Sequence, residues 1–168
     1  MTRPPSSTSP RRGRGWFLLA AVCGTLHAAT SLVWAAGGDW LLATAGGLAT
    51  ALVEDAPGSA AAALGAVGAA KLAAAWTPLL VERMPGRLRR LLRAAEWCAA
   101  VVLLAYGLVW HMLLSGVGLL GLFGAPEAPV ALAGHLLIWG PLFSLWAAAL
   151  LAGLARSRLL GGDSRPSR

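Results

Sequence analysis

From residue 16 to residue 36 the chain runs without a single charge, and this stretch constrains the fold more than any other feature. A helix rises about 1.5 Å per residue, so about 20 apolar residues cross the roughly 30 Å hydrocarbon core of a bilayer. A lone segment can do this only as a helix, which satisfies its own backbone donors and acceptors where water is missing. Three further apolar stretches follow: residues 59–80, interrupted only by Lys71; residues 94 to about 118, with Glu96 at the start; and residues 130–155, with Pro141 inside. Pro141 predicts a kink, which neighbouring helices in a bundle can accommodate. The fold class that follows is all-α, a four-helix transmembrane bundle.

Residues 40–53 are also apolar, but 14 residues are too few for a span and Gly46-Gly47 breaks them. They read as a short outer interfacial or re-entrant segment, closed by Glu54, Asp55, Pro57 and Gly58. The first stretch, preceded by basic residues, has the outline of a secretory signal. Its length exceeds the roughly 7–15 apolar residues of such a signal, so it is expected to remain as a span.

Charge fixes the expected orientation. All thirteen arginines fall in three groups: Arg3 to Arg14, Arg83 to Arg93, and Arg156 to Arg168. With four spans these groups share one side, and the other side carries Asp39, Glu54, Asp55 and Glu127 without Lys or Arg. By the positive-inside rule both termini are cytoplasmic, in a multi-pass protein of the cell (inner) membrane. A fifth span at 40–53 would put the central arginines on the wrong side. Residues 1–15 and 156–168 read as basic cytoplasmic tails, the first with too little apolar surface to order itself.

The same charge grouping speaks against nucleic acid as a partner, although the net charge is +7. Arginines at span borders are explained by topology, and they also attract anionic lipids. A hydrophobic content of 57% with 12% charged residues, against about 25% charged in soluble domains, makes the lipid bilayer the first partner. Abundant Gly and Ala let helices approach closely, which offers faces to a membrane-protein partner or a second copy. Cys23 and Cys98 lie within spans and read as small buried apolar residues, with no disulfide framework.

Ionisable residues at membrane depth are costly and therefore mark sites. His27, His111 and His135 all fall in the outer half of their spans, and Lys71, the only lysine, lies near the middle of the second. His27, Ser31, Trp34 and Gly38 recur at helical spacing, as do His135, Trp139 and Trp146. These faces suggest a polar pocket of His27, Ser31, Trp34, Lys71, His111, His135 and Trp139, open to the outside. Two other readings stand beside it. The histidines could be interhelical hydrogen-bonding glue, or three imidazoles could ligate a transition metal or haem. No local ligand motif such as H-E-x-x-H is present, so no metal, cofactor or catalytic residue is assigned.

At these residues the chain resembles a family of small bacterial four-span membrane proteins, grouped as a domain of unknown function and common in actinobacteria. The resemblance rests on His27-x-x-x-Ser31-Leu32-x-Trp34-Ala35-x-Gly37-Gly38 and on His135-x-x-x-Trp139-x-Pro141-x-Phe143, followed by Trp146. It covers most of residues 16–155. Where family members often carry a further aromatic between Ser31 and Trp34, and a polar group between the fourth-span Trp and Pro, this chain has Val33 and Gly140. The resemblance implies four spans and a membrane location, and no established chemistry. A non-catalytic binding or accessory protein is the favoured expectation. A membrane enzyme or lipid- or small-molecule-binding protein using the outward-facing pocket is the alternative. A small transporter comes last, because no internal repeat with paired broken helices is evident.

Overall fold

The computed structural model describes residues 13–122 and 124–162, with side chains up to residue 157. The tail at 1–12 and the end of the C-terminal tail lie outside the described residues. Four long helices, α1 (Arg14–Ala35), α3 (Pro57–Val81), α4 (Gly86–Leu119) and α5 (Pro129–Ser157), are each long and apolar enough to cross a membrane. The short α2 (Gly47–Asp55) precedes α3, and α5 continues helically to Gly162. Among the described residues there is no strand, and the architecture is an all-α bundle.

Local chemistry sets the helix ends. Gly37 takes φ +86° after α1, and the Gly38 and Gly37 amides donate back to Val33 O and Trp34 O. This double back-bonding satisfies terminal carbonyls and needs a residue free of a Cβ penalty at that φ. Pro57 and Pro129 open α3 and α5 at the first-turn position, where a missing N–H costs nothing. The segment at 40–53 is a 3-10 turn (Leu42–Thr44) followed by the start of α2. The nine residues of α2 rise about 13 Å, well short of a span. The third long helix begins at Gly86, so Arg87, Arg89, Arg90 and Arg93 form its first turns rather than a connection. Arginine is a good helix former, and the actual turn is only Glu82 to Pro85.

The bundle is not a symmetric square. Half of the apolar window of α1 and 44% of that of α5 are buried, against 22% for both α3 and α4. The first and last helices therefore form the central pair, with α3 packed on α1 and α4 on α5. Phe17, Ala75, Ala100, Trp146 and Leu154 form the main apolar core at the arginine end. There Arg93 donates to Glu96 Oε2 at 2.7 Å and to Pro78 O at 3.3 Å, and its guanidinium lies 4.7 Å from the Phe17 ring. Arg156 similarly covers Trp16. Arginines of α1, α4 and α5 thus gather at one end, while Glu54 and Asp55 lie by Ala128 and Pro129 at the other. Cys23 is buried in the core, whereas Cys98 is exposed on the outer surface of α4, correcting the expectation of two buried thiols. Burial of α4 is one-sided, so a residue inside a span need not be inside the bundle.

Two segments depart from α-helical geometry: Tyr106–Leu114 within α4 and His135–Trp139 within α5 are π-helical. Pro141 stands two residues beyond the second and has no N–H to return to Leu137, which favours a locally widened turn. The two π segments face each other across a close backbone crossing. A Cβ on Gly107 would sit 3.0 Å from Gly140 O, and one on Gly140 would sit 3.1 Å from Gly107 O.

Candidate functional site

The connection from α1 to α2 folds back over the bundle because indole and imidazole donors from two helices hold its carbonyls. Trp34 Nε1 donates to Trp40 O at 2.8 Å, and Trp139 Nε1 donates to Thr44 O at 2.9 Å. His135 Nε2 lies 3.1 Å from Ala45 O, which as a carbonyl can only accept. Leu41 adopts a left-handed φ of +61° to make the turn, and Leu42 is buried in one apolar cluster with Trp34 and Trp139. The 3-10 turn rests on α5 at Gly134, where any Cβ would meet Thr44, including its backbone oxygen at 2.6 Å. Substituting Gly134→Val is therefore expected to lift the turn and cost about 1–3 kcal/mol. At about 2–4 °C per kcal/mol, a fall in the thermal midpoint of several degrees in detergent checks this.

Beneath this turn lies a cavity of about 290 Å³ lined by His27, Trp34, Ala45, Lys71, Tyr106, His111, His135, Trp139 and Phe143. Six of the seven residues that the sequence singled out line it. The seventh, Ser31, is 1% exposed and sits behind the wall, tied to it by a hydrogen bond from Lys71 Nζ to Ser31 Oγ at 2.9 Å. Lys71 Nζ also lies 3.1 Å from His27 Nδ1. An ammonium has donors only, so Nδ1 accepts, and a neutral His27 must carry its proton on Nε2. That nitrogen is buried without a partner, as are both ring nitrogens of His111.

Aromatic rings set the spacing. Phe143 stands between two histidines, with its centroid 4.0 Å from His27 and 5.4 Å from His111. His111 meets His135 edge-on at 4.6 Å and Tyr106 at 4.5 Å. Trp139 packs against both His27 and Trp34. The intervening Phe143 keeps the histidines from converging as one three-imidazole ligand set. Among the described residues no group of three His, Cys, Asp or Glu is placed to hold a metal ion. Of the three histidines, His27 bonds across helices to Lys71, His135 reaches a backbone carbonyl of the connecting turn, and among the described residues neither ring nitrogen of His111 has a hydrogen-bond partner.

Tyr106 and Phe143 were not singled out as pocket residues. Tyr106 carried one signal, as the only tyrosine in the chain, five residues before His111. Its position in a π-helical turn, off the ordinary helical spacing, hid its relation to the pocket. Phe143 stood in the fourth-span motif without a role. Ala45 reaches the cavity only through the folded-back turn.

Fold and cavity together define a class: a bundle of four span-length helices with a histidine- and lysine-lined chamber closed by its first connecting loop. The model of a family described as "Protein of unknown function (DUF3995)" matches residues 24–150, and the chain belongs to that family. No curated protein and no solved structure matches it.

Proposed function

We propose that the protein is a multi-pass membrane protein whose cavity binds an anionic group, a carboxylate or a phosphate, without transforming it. The observation that carries this reading is Lys71. A lysine among apolar helices is costly unless paired, yet among the described residues no carboxylate lies within ion-pair distance of it. It spends two donors on His27 and Ser31 and keeps a third, next to a histidine whose own N–H has no partner. A wall with donors to spare and no opposing charge suits an acceptor that brings negative charge. The indoles of Trp34 and Trp139 are already occupied by the loop, so they supply apolar walls.

A catalytic role has one feature in its favour, the Lys71–Ser31 contact, since lysine can activate a serine nucleophile. Ser31 is fully buried and absent from the cavity wall, so a ligand in the cavity does not touch its hydroxyl. Binding is the better account. Its test is the thermal midpoint of the purified protein in neutral detergent. Acetate or inorganic phosphate is expected to raise the midpoint, neutral acetamide to leave it unchanged, and Lys71→Met to remove the response. Equal responses to acetate and acetamide would sink the reading.

Arginines gathered at one end support placing that end in the cytoplasm. With Cys23 and Cys98 replaced, a cysteine at Glu127→Cys is expected to react with an impermeant thiol reagent in intact cells. One at Arg83→Cys is expected to react only after lysis. The reverse pattern would overturn the orientation.

A further inference from the structure

The cavity is roofed by the folded-back turn but open elsewhere, and where it opens bears on what can enter. The folded-back turn covers one end, and Phe143 with Trp146 and Phe17 of the core fills the other. Three of the four helix seams, α1 with α3, α1 with α5, and α4 with α5, are closely packed. The fourth, between α3 and α4, is not. Those two helices are bridged at the arginine end by the Arg93 to Pro78 hydrogen bond. Pro78 belongs to a stripe of α3 at four- and three-residue spacing, Val67, Lys71, Ala74 and Pro78, so the seam runs from Arg93 up to Lys71. Along it Val67 is 44% exposed, and across from it Tyr106 of α4 is 43% exposed although it lines the cavity.

Resting on the anion-binding reading, we propose that the cavity opens sideways between α3 and α4 and receives the head of a single-chain anionic amphiphile. The head lies against Lys71 and His27, and the chain runs out past Tyr106 and Val67 along the seam. Volume supports a head rather than a whole lipid. A chamber of about 290 Å³ is at the small end of ligand pockets, which run from about 300 to 1,000 Å³. A carboxylate or phosphate with a few attached atoms fits, and a two-chain lipid does not. Chemistry supports the division, because the ammonium and imidazole donors lie inside while the seam presents Val67 and the ring of Tyr106. A ligand that arrived at the loop end would have to pass the pinned turn. One already dissolved in the bilayer needs no such opening.

The test compares heads with and without a chain, on the full-length protein in phosphatidylcholine nanodiscs. Inorganic phosphate and dodecyl phosphate form one pair, acetate and dodecanoate the other. Affinities come from the rise of the thermal midpoint with concentration. The variants are Lys71→Met in the cavity and Val67→Trp on the exposed seam. The amphiphile of at least one pair is expected to bind about tenfold or more tighter than its soluble head, through its confinement to the bilayer. That binding should be lost in Lys71→Met and weakened about tenfold in Val67→Trp, with Val67→Trp leaving the soluble head unaffected. If the soluble heads bind through Lys71 while the chains add nothing, or Val67→Trp has no effect, sideways access is overturned and the anion site survives. If neither heads nor amphiphiles depend on Lys71, both are overturned.

Discussion

Lys71→Met is expected to lose the anion response while leaving the folded protein close to its original stability. The two effects have different origins. A hydrogen bond to a charged group contributes about 1.5–3 kcal/mol, so its removal lowers affinity roughly tenfold to a hundredfold. For stability, methionine keeps the length of the lysine stem and removes a charge from a low-dielectric wall. Replacing buried ionic groups by apolar residues of similar volume is often neutral, or stabilising by about 1–4 kcal/mol. Against this stands the loss of two charge-assisted hydrogen bonds, to His27 Nδ1 and Ser31 Oγ, about 1.5–3 kcal/mol each, which the relieved desolvation of an ammonium without a carboxylate partner, of several kcal/mol, offsets. Midpoint and affinity measured on the same preparation separate the outcomes. A midpoint many degrees lower would identify Lys71 as a structural strut between α1 and α3. Lys71→Arg, which keeps the charge on a longer and planar group, should retain part of the binding.

Gly107→Leu is expected to have the largest effect on folding. At the α4–α5 crossing a Cβ on Gly107 would fall 2.7 Å from Ser144 Oγ, 3.0 Å from Gly140 O and 3.0 Å from Phe143 Cβ. A hydroxyl can rotate away, but a backbone oxygen and a Cβ cannot, so the helices must separate. Overpacking typically costs about 1–3 kcal/mol and occasionally more, and a leucine here belongs at the upper end. Separation would also pull His111 of α4 away from His135 of α5, now 4.6 Å apart, and open the cavity. The measurement is the amount of folded protein recovered from membranes, with the thermal midpoint of what remains. Gly15→Leu is the control, because a Cβ there has nothing within 4 Å. Comparable yields from the two variants would show that the close crossing is not required.

The four long helices were determined by the sequence alone, because the cause is local. A run of about 20 uncharged apolar residues dictates its own conformation, and capping glycines and prolines mark its limits. The shortness of residues 40–53 was legible for the same reason. The grouping of His27, Trp34, Lys71, His135 and Trp139 was suggested by depth and helical spacing, which fix the level and face of a residue on its own helix.

Which faces meet was decided only by the tertiary structure. Helical spacing cannot say that α1 and α5 form the central pair while α3 and α4 stand apart, since outside a few polar positions all four are apolar around their circumference. That asymmetry exposes Cys98, leaves the seam by Lys71 open and makes Tyr106 its rim. The π-helical turns shift Tyr106, His111, His135 and Trp139 off the 3.6-residue spacing from which a sequence is read. Phe143, placed between His27 and His111, turns three histidines at one depth into separate wall groups rather than a ligand set. The turn at Leu42–Thr44 becomes the roof only because Trp34, His135 and Trp139, distant in sequence, hold its carbonyls. Spans follow from the energy of residues in their surroundings one at a time, and the cavity follows from contacts between residues far apart in the chain.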